Sequence, residues 1–363
     1  MILKILAPLS ATSKRTRLEK IVECTKDSIN TKFYGWQREK SEIIDSESKI
    51  ILKGGGYSSK RSKLMYPIWS LKVFFLSLSF QRSDLVWALG LETAFPAVVA
   101  SKIRGFKVIY DDADRFSSLF NFNNELKKIL VKIEIYTSNH AFKHVIPGLE
   151  RYDFNSPNFF VLKNTPTGED VLKAKAFKLN KEVVDKLDKF NLVIYVNGWL
   201  GEGRGMKAIH HVAKSLPNHV FLLAGRIDSK YAKEMQDFNN VIYLGELPQY
   251  EALAYYTVSN FVFTYYDPKI PINRMAEANK WGDSLQFNVP VIVNSEVETA
   301  KYLLEAGAAI SVEYEDVESL IHQLEHLSKN SEEYQKLVIS MSKIQTIFPS
   351  FDLQVKSLFE NFN

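Results

Sequence analysis

Short β-branched runs alternate with amphipathic stretches almost from end to end of this chain, and no other feature limits its fold as strongly. Strand-like runs fall at "LKILAPL" (3–9), "KIILKG" (49–54), "DLVWALG" (84–90), "FKVIYDD" (106–112), "HVIPG" (144–148) and "FFVLKN" (159–164). A second set follows at "NLVIYV" (191–196), "HVFLLAG" (219–225), "VIYLG" (241–245), "FVFTYY" (261–266), "PVIVN" (290–294) and "AISVEY" (309–314). Between them, Met206, Ile209, Val212, Ala213 and Leu216 repeat with a helical period, as do Val317, Leu320, Ile321, Leu324 and Leu327. The expectation is α/β, with parallel sheets linked by crossover helices. At 363 residues the chain exceeds one ordinary core, so two such domains are expected.

A Lys-rich stretch headed by turn residues, near 165 to 189, reads as the connector. The expected domains are 1–168 and 186–345. Pro349 interrupts the last helical pattern, after which Phe351, Val355, Leu358, Phe359 and Phe362 share one face. That face needs a surface to cover it, so 350–363 is expected to return to the first domain.

Composition excludes several classes. Net charge of +4 is too balanced for nucleic acid as the main partner. The single Cys24 cannot form an intrachain disulfide, and no Cys/His spacing suits a metal. The i, i+4 pairs His140/His144 and His322/His326 lack a third ligand nearby, so no metal is assigned. "MILKILAPL" places its charges after the apolar run and reads as a first strand rather than a signal peptide. No apolar stretch is long enough to span a bilayer. A reducing cytoplasm is the expected compartment.

Chemistry concentrates in two stretches. "YVNGWLGEGRGMKAI" (195–209) sets four glycines and Arg204 between a strand and a helix, where backbone N–H groups and the helix dipole favour an anion. The spacing is neither GxGxxG nor a Walker loop, and a tight strand-to-helix turn explains glycines equally well. Arg204 adds a group able to bind phosphate bidentately. In "YYDPKIPINRMAEANKWGDSLQFNVPVIVN" (265–294), a strand leads through a proline-marked loop to a helix opening near Asn279.

The combined run "NGWLGEGRGMKAI…LLAGRID…VIYLGELPQYEALAYY…ANKWGDSLQFNVPVIVN" resembles the donor domain of GT-B glycosyltransferases. It is most similar to the family-4-type enzymes of bacterial capsule and lipopolysaccharide assembly. The likeness covers about 190–330 and thins before that, where "DLVWALGLETAFPAVVASKIRGFKVIYDDAD" looks like the family's paired strands around a helix. It implies two Rossmann-like domains facing across a cleft, with a nucleotide-diphosphate sugar bound by the C-terminal one. By resemblance Gly198 and Arg204 hold the diphosphate, Asn279 and Lys280 lie near sugar and phosphates, and Asp283 takes the ribose hydroxyls. Glu246, Leu247 and Pro248 are implied to receive the base, and Arg226 and Tyr266 to line the same donor site.

Two positions depart from the family's pattern. Relatives often carry two glutamates eight residues apart, but eight before Asp283 stands Met275, with Glu277 out of register. Where many place an acceptor-side histidine, this chain has Ala113. Asp112 or Asp114 are the candidate catalytic carboxylates, although the same aspartates would also suit the end of a strand and a helix cap.

In the first half, no Asp or Glu occurs between Glu47 and Asp84, while Lys49, Lys53, Lys60, Arg61, Lys63, Lys72 and Arg82 do. A basic segment merging into an aromatic-rich helix suits an anionic bilayer surface, with Lys60, Arg61, Lys63 and Trp69 as the expected contacts; a core helix is the competing reading. Lys14 and Arg15, after the first strand, are candidates for acceptor or donor phosphate. The expected activity is therefore transfer of a sugar, with retention, from a nucleotide sugar (UDP above others) to a lipid-linked saccharide. No metal or cofactor is expected, and the enzyme would sit on the inner face of the membrane. A nucleotide-sugar epimerase and a catalytically degenerate binding protein are the rival readings.

Overall fold

A computed structural model describes residues 2–46, 48–57, 60–112, 115–119 and 123–360, without the side chains of 60–63, 118 and 119. The chain divides into two compact units, 1–162 with 355–363, and 163–354.

The first unit is built on a seven-stranded sheet. Its strands are β1 (Ile2–Ala7), β2 (Asn30–Gln37), β3 (Ser48–Lys53), β4 (Leu85–Leu89), β5 (Lys107–Asp111), β6 (Lys143–Ile146) and β7 (Phe159–Val161), in the order β3-β2-β1-β4-β5-β6-β7. Every pairing is parallel. All five residues of β4 are buried, as expected of a central strand covered on both faces. Trp36, Trp69, Phe80, Phe106 and Tyr110 are large side chains of one of its core clusters. Strand β2 is one the alternation of apolar runs does not reveal: "NTKFYGWQ" is half polar, and only Phe33, Gly35 and Trp36 are buried.

The second unit carries β8 (Val193–Asn197), β9 (Val220–Ala224), β10 (Val241–Tyr243), β11 (Phe261–Thr264), β12 (Val291–Asn294) and β13 (Ala309–Val312), in the order β10-β9-β8-β11-β12-β13. All its pairings are parallel too. Alternate residues feed two separate cores. Ile194, Val196, Phe221 and Leu223 join one cluster, whereas Val193, Tyr195, Val220 and Leu222 join the other. Helix Met206–Ser215 buries Met206, Ala208, Ile209, Val212 and Ala213 against the first of these. Each of its larger side chains contributes about 1.5–3 kcal/mol by leaving water.

Residues 165–189, where composition suggests a connector, lie within the second unit and hold helices Gly168–Ala176 and Lys181–Leu187. The first is fixed by a capping box in which Thr167 and Asp170 satisfy each other's backbone. The last helix, Phe351–Glu360, buries Phe351, Val355 and Leu358, and Phe359 lies against Trp87 with ring centroids 6.4 Å apart.

Candidate functional site

The strand order of the second unit reverses between β8 and β11, the position where open parallel sheets bind ligands beyond their carboxyl ends. The chain after β8 is zipped to the chain after β9: Gly198 N donates to Ala224 O (2.8 Å) and Leu200 N to Arg226 O (2.9 Å). Two glycines are required by close approach. A Cβ on Gly225 (φ +123°) would stand 1.9 Å from the carbonyl oxygen of Gly198, and one on Gly205 (φ +73°) would stand 2.3 Å from Tyr265 Cβ. Glycine at 225 lets the two crests touch through backbone alone. Glycine at 205 lets helix Met206–Ser215 begin hard against the end of β11.

This arrangement gathers the predicted cations. Lys280 enters from the first turn of helix Asn279–Phe287, and its Nζ lies 3.7 Å from where a Cβ on Gly198 would be. Burial, together with the Arg204 guanidinium, pulls the Lys280 ammonium down to about 8, while Asp283 pulls the other way. Arg204 comes from the single 3-10 turn Glu202–Arg204 and rests 4.6 Å above the Tyr266 ring, which is itself buried. Two neighbouring cations in a desolvated spot repel each other unless an anion lies between them.

Asp283 sits one turn beyond Lys280 on the same helix. Tyr256 Oη reaches its carboxylate at 3.5 Å and also receives Asn197 Nδ2 at 3.2 Å, a chain that begins at the carboxyl end of β8. Burial and the Asp283 charge hold the Tyr256 hydroxyl well above the usual phenol range, so it stays a donor. No acidic residue occupies the first turn of Asn279–Phe287 and no side chain caps it, so the end that carries Lys280 keeps its positive dipole.

A cavity of about 530 Å³ adjoins these groups, lined by Asn197, Gly198, Trp199, Ala224, Gly225, Arg226, Glu246, Leu247 and Ala252. It contains Gly198, Arg226, Glu246 and Leu247 from the predicted donor set, and the glycine crest is its common wall with Lys280. Arg226 is exposed and pairs with Asp228 at 3.3 Å. Asn279 accepts from Asn164 Nδ2 at 3.2 Å. Glu277, out of register in the sequence pattern, pairs with Lys163 at 2.9 Å in a nearly dry setting, 6% and 3% exposed, with the Lys163 ammonium 3.9 Å from the Tyr302 ring centre. Tyr256, Asn197 and Lys163 escape sequence reasoning because no motif spacing joins them to Asp283 or Glu277.

The first-unit candidates lie differently. Asp112 is 1% exposed at the end of β5, with Tyr152 Oη donating to it at 2.7 Å and His144 Nε2 3.7 Å away. Burial opposes its ionisation, but His144 and Tyr152 outweigh burial and hold the carboxyl below its ordinary range. It closes a strand within the unit and does not face solvent as an exposed base would. Asp114 and Ala113 lie outside the described residues. Lys14 is exposed and Arg15 half-buried around the 3-10 turn Thr12–Lys14. Trp69, expected at a membrane, is instead fully buried and donates Nε1 to Thr93 Oγ1 at 2.9 Å. The side chains of Lys60, Arg61 and Lys63 lie outside the described residues. Among the described residues no group of three His, Cys, Asp or Glu could hold a metal, and no helix is long and apolar enough to cross a membrane.

Two Rossmann-like units, each with its own parallel sheet, define the GT-B fold, and solved structures with this fold match the chain over its whole length. HepE of Anabaena, solved in complex with UDP, superposes with a TM-score of 0.69 at 12% identity over 100% of this chain and 99% of its own. The UDP-forming α,α-trehalose-phosphate synthase of Burkholderia vietnamiensis gives 0.62 at 8% identity, covering 99% of each chain. A UDP-N-acetylglucosamine 2-epimerase gives 0.56 at 15% identity, over 94% of this chain and 91% of that one. No protein-family model and no curated protein sequence matches.

Proposed function

We propose that the protein is a glycosyltransferase whose second unit binds a nucleoside-diphosphate sugar, UDP-linked in preference to others. One observation carries the reading: Lys280 and Arg204 crowd a glycine crest beside a cavity of nucleoside size, with Asp283 one turn beyond Lys280 on the same helix. A diphosphate would relieve the repulsion between the two cations, and the same cations would stabilise it as leaving group, each charge-assisted bond contributing about 1.5–3 kcal/mol. Asp283, held by Tyr256, is an acceptor for ribose hydroxyls. Glu246, Leu247 and Arg226 would border the base, while Gly198, Tyr266 beneath Arg204 and Asn279 beside Lys280 would frame the phosphate end. UDP in the structure of the HepE relative supports the nucleotide assignment.

The finer reading is retaining transfer without a metal, the protein cations standing in for it. The acceptor is the hydroxyl of a lipid-linked saccharide in bacterial surface polysaccharide synthesis, met at the cytoplasmic face of the membrane. Lys14 and Arg15 are assigned to acceptor or donor phosphate. The likeness to a UDP-N-acetylglucosamine 2-epimerase favours one second reading, epimerisation of the same donor without any acceptor. Calorimetry with UDP, GDP, ADP and CMP tests the nucleotide, and incubation of UDP-sugars with and without lipid-linked acceptor tests the reaction. Binding of none of the nucleotides overturns the donor site; epimer formed without acceptor replaces transfer by epimerisation.

A further inference from the structure

Helix Lys60–Ser77 is apolar on two sides. Trp69 and Val73 are fully buried, and Met65, Phe74 and Leu76 pack with them against the core of the first unit. Yet Leu64 (72% exposed), Ile68 (43%), Leu71 (59%) and Phe75 (66%) are open to solvent. Their spacing of four, three and four residues places them within an arc of about 60°, on the side away from Trp69 and Val73. A helix apolar all round is ordinarily enclosed on every side, so a continuous stripe left bare marks a surface meant to be covered.

The surroundings of the stripe favour one occupant. From Ser48 to Ser83 the chain has no carboxylate and seven Lys or Arg residues. Lys72 lies exposed on this helix, Lys49 and Lys53 lie exposed on β3, and Lys60, Arg61 and Lys63 occupy the first turns of the same helix. A second copy of this chain would bring the same positive charge against itself. An anionic lipid surface complements the charge and accepts the apolar side chains together. The helix is not long and apolar enough to cross the bilayer, so it would lie in the interface plane.

We propose that Leu64, Ile68, Leu71 and Phe75 form the membrane-inserting face of this protein, held against anionic lipid by the acid-free basic segment around them. The proposal rests on the peripheral membrane association given above and is independent of the donor chemistry. It also replaces Trp69 as the hydrophobic anchor, because Trp69 faces the core.

The test is co-flotation of the full chain with vesicles of phosphatidylcholine alone or with phosphatidylglycerol added. The variant is Leu71→Glu/Phe75→Glu, with Leu172→Glu, an equally exposed apolar residue of the second unit, as control. Wild type and L172E are expected to float with anionic vesicles and not with neutral ones, and the double variant to lose at least tenfold of that binding. Its melting curve and UDP affinity, both expected unchanged, exclude misfolding. If wild type does not float with anionic vesicles, the membrane association fails and the proposal with it. If wild type floats and the double variant floats equally, association holds but this face is not its anchor. A wild-type dimer that the double variant dissolves would mark the stripe as a self-association surface and overturn the proposal.

Discussion

Binding of UDP should take up protons near pH 8, because Lys280 enters the site with its ammonium pulled down to about 8. The depressed value means that charge on Lys280 is penalised in the free protein, a penalty absent above about pH 10.5 and complete below about 8. A diphosphate beside Nζ removes that penalty and returns the lysine towards its usual range. Proton uptake on binding should therefore be about 0.1 at pH 7, about 0.5 at pH 8 and about 0.9 at pH 9. Affinity should fall about tenfold from pH 7 to pH 9, or about 1.4 kcal/mol, since only the charged lysine binds well. The diphosphate itself adds no slope here, its last ionisation being at about pH 6. Calorimetry in buffers of different ionisation enthalpy, such as HEPES and Tris at pH 8, reads the uptake directly. Lys280→Met should bind more weakly at pH 7 and show no buffer dependence. Equal enthalpies in both buffers for wild type, or the same pH slope in the variant, would refute the reasoning.

Other expectations follow from the same contacts. Gly225→Ala drives a methyl into the Gly198 carbonyl at an already left-handed φ; it should destabilise the fold by about 1–3 kcal/mol in thermal melts and weaken UDP binding as well. Asp283→Ala should weaken UDP roughly tenfold or more by calorimetry while changing the affinity for inorganic pyrophosphate little, since only the proposed ribose contact is removed. Lys163→Met leaves Glu277 charged and nearly dry and should cost about 3–5 kcal/mol in denaturant unfolding, partly regained in Lys163→Met/Glu277→Leu. Glu92, pushed up to about 7 by burial and then by the charge of Asp112, should make the protein less stable as pH rises from about 4.5 to about 7; Glu92→Gln should flatten that part of the pH–stability curve.

The parallel sheets were legible wherever strands are buried on both faces, because such strands are uninterrupted apolar runs. Strand β2 was not: Asn30 and Lys32 are exposed, and only Phe33, Gly35 and Trp36 are buried. The Thr167–Asp170 capping box was readable in "TGED", yet the lysines after it resemble a linker more than a helix. Arg204, Lys280 and Asp283 were accessible through the resemblance, and they do come together. What could not be read was which side of a doubly apolar helix faces the core: Trp69, expected at a membrane, turns inward, while Leu71 and Phe75 of the same helix stay exposed. Tyr256 and Asn197 stand behind Asp283 through contacts of 59 and 27 residues' separation, which no local spacing encodes.

The meeting of Gly198 and Gly225 has a consequence for redesign. With an oxygen of one crest filling the room a side chain would need on the other, neither loop can be displaced without dragging its neighbour. With Glu246 and Leu247 bordering the base as proposed, attempts to retune nucleobase preference there should disturb the proposed phosphate end too, because Gly245 O holds Gly225 N at 2.7 Å and passes the shift along. Changing the preferred nucleotide should require compensating substitutions around the first crest, and libraries confined to 246–248 should yield losers in affinity rather than switched specificity.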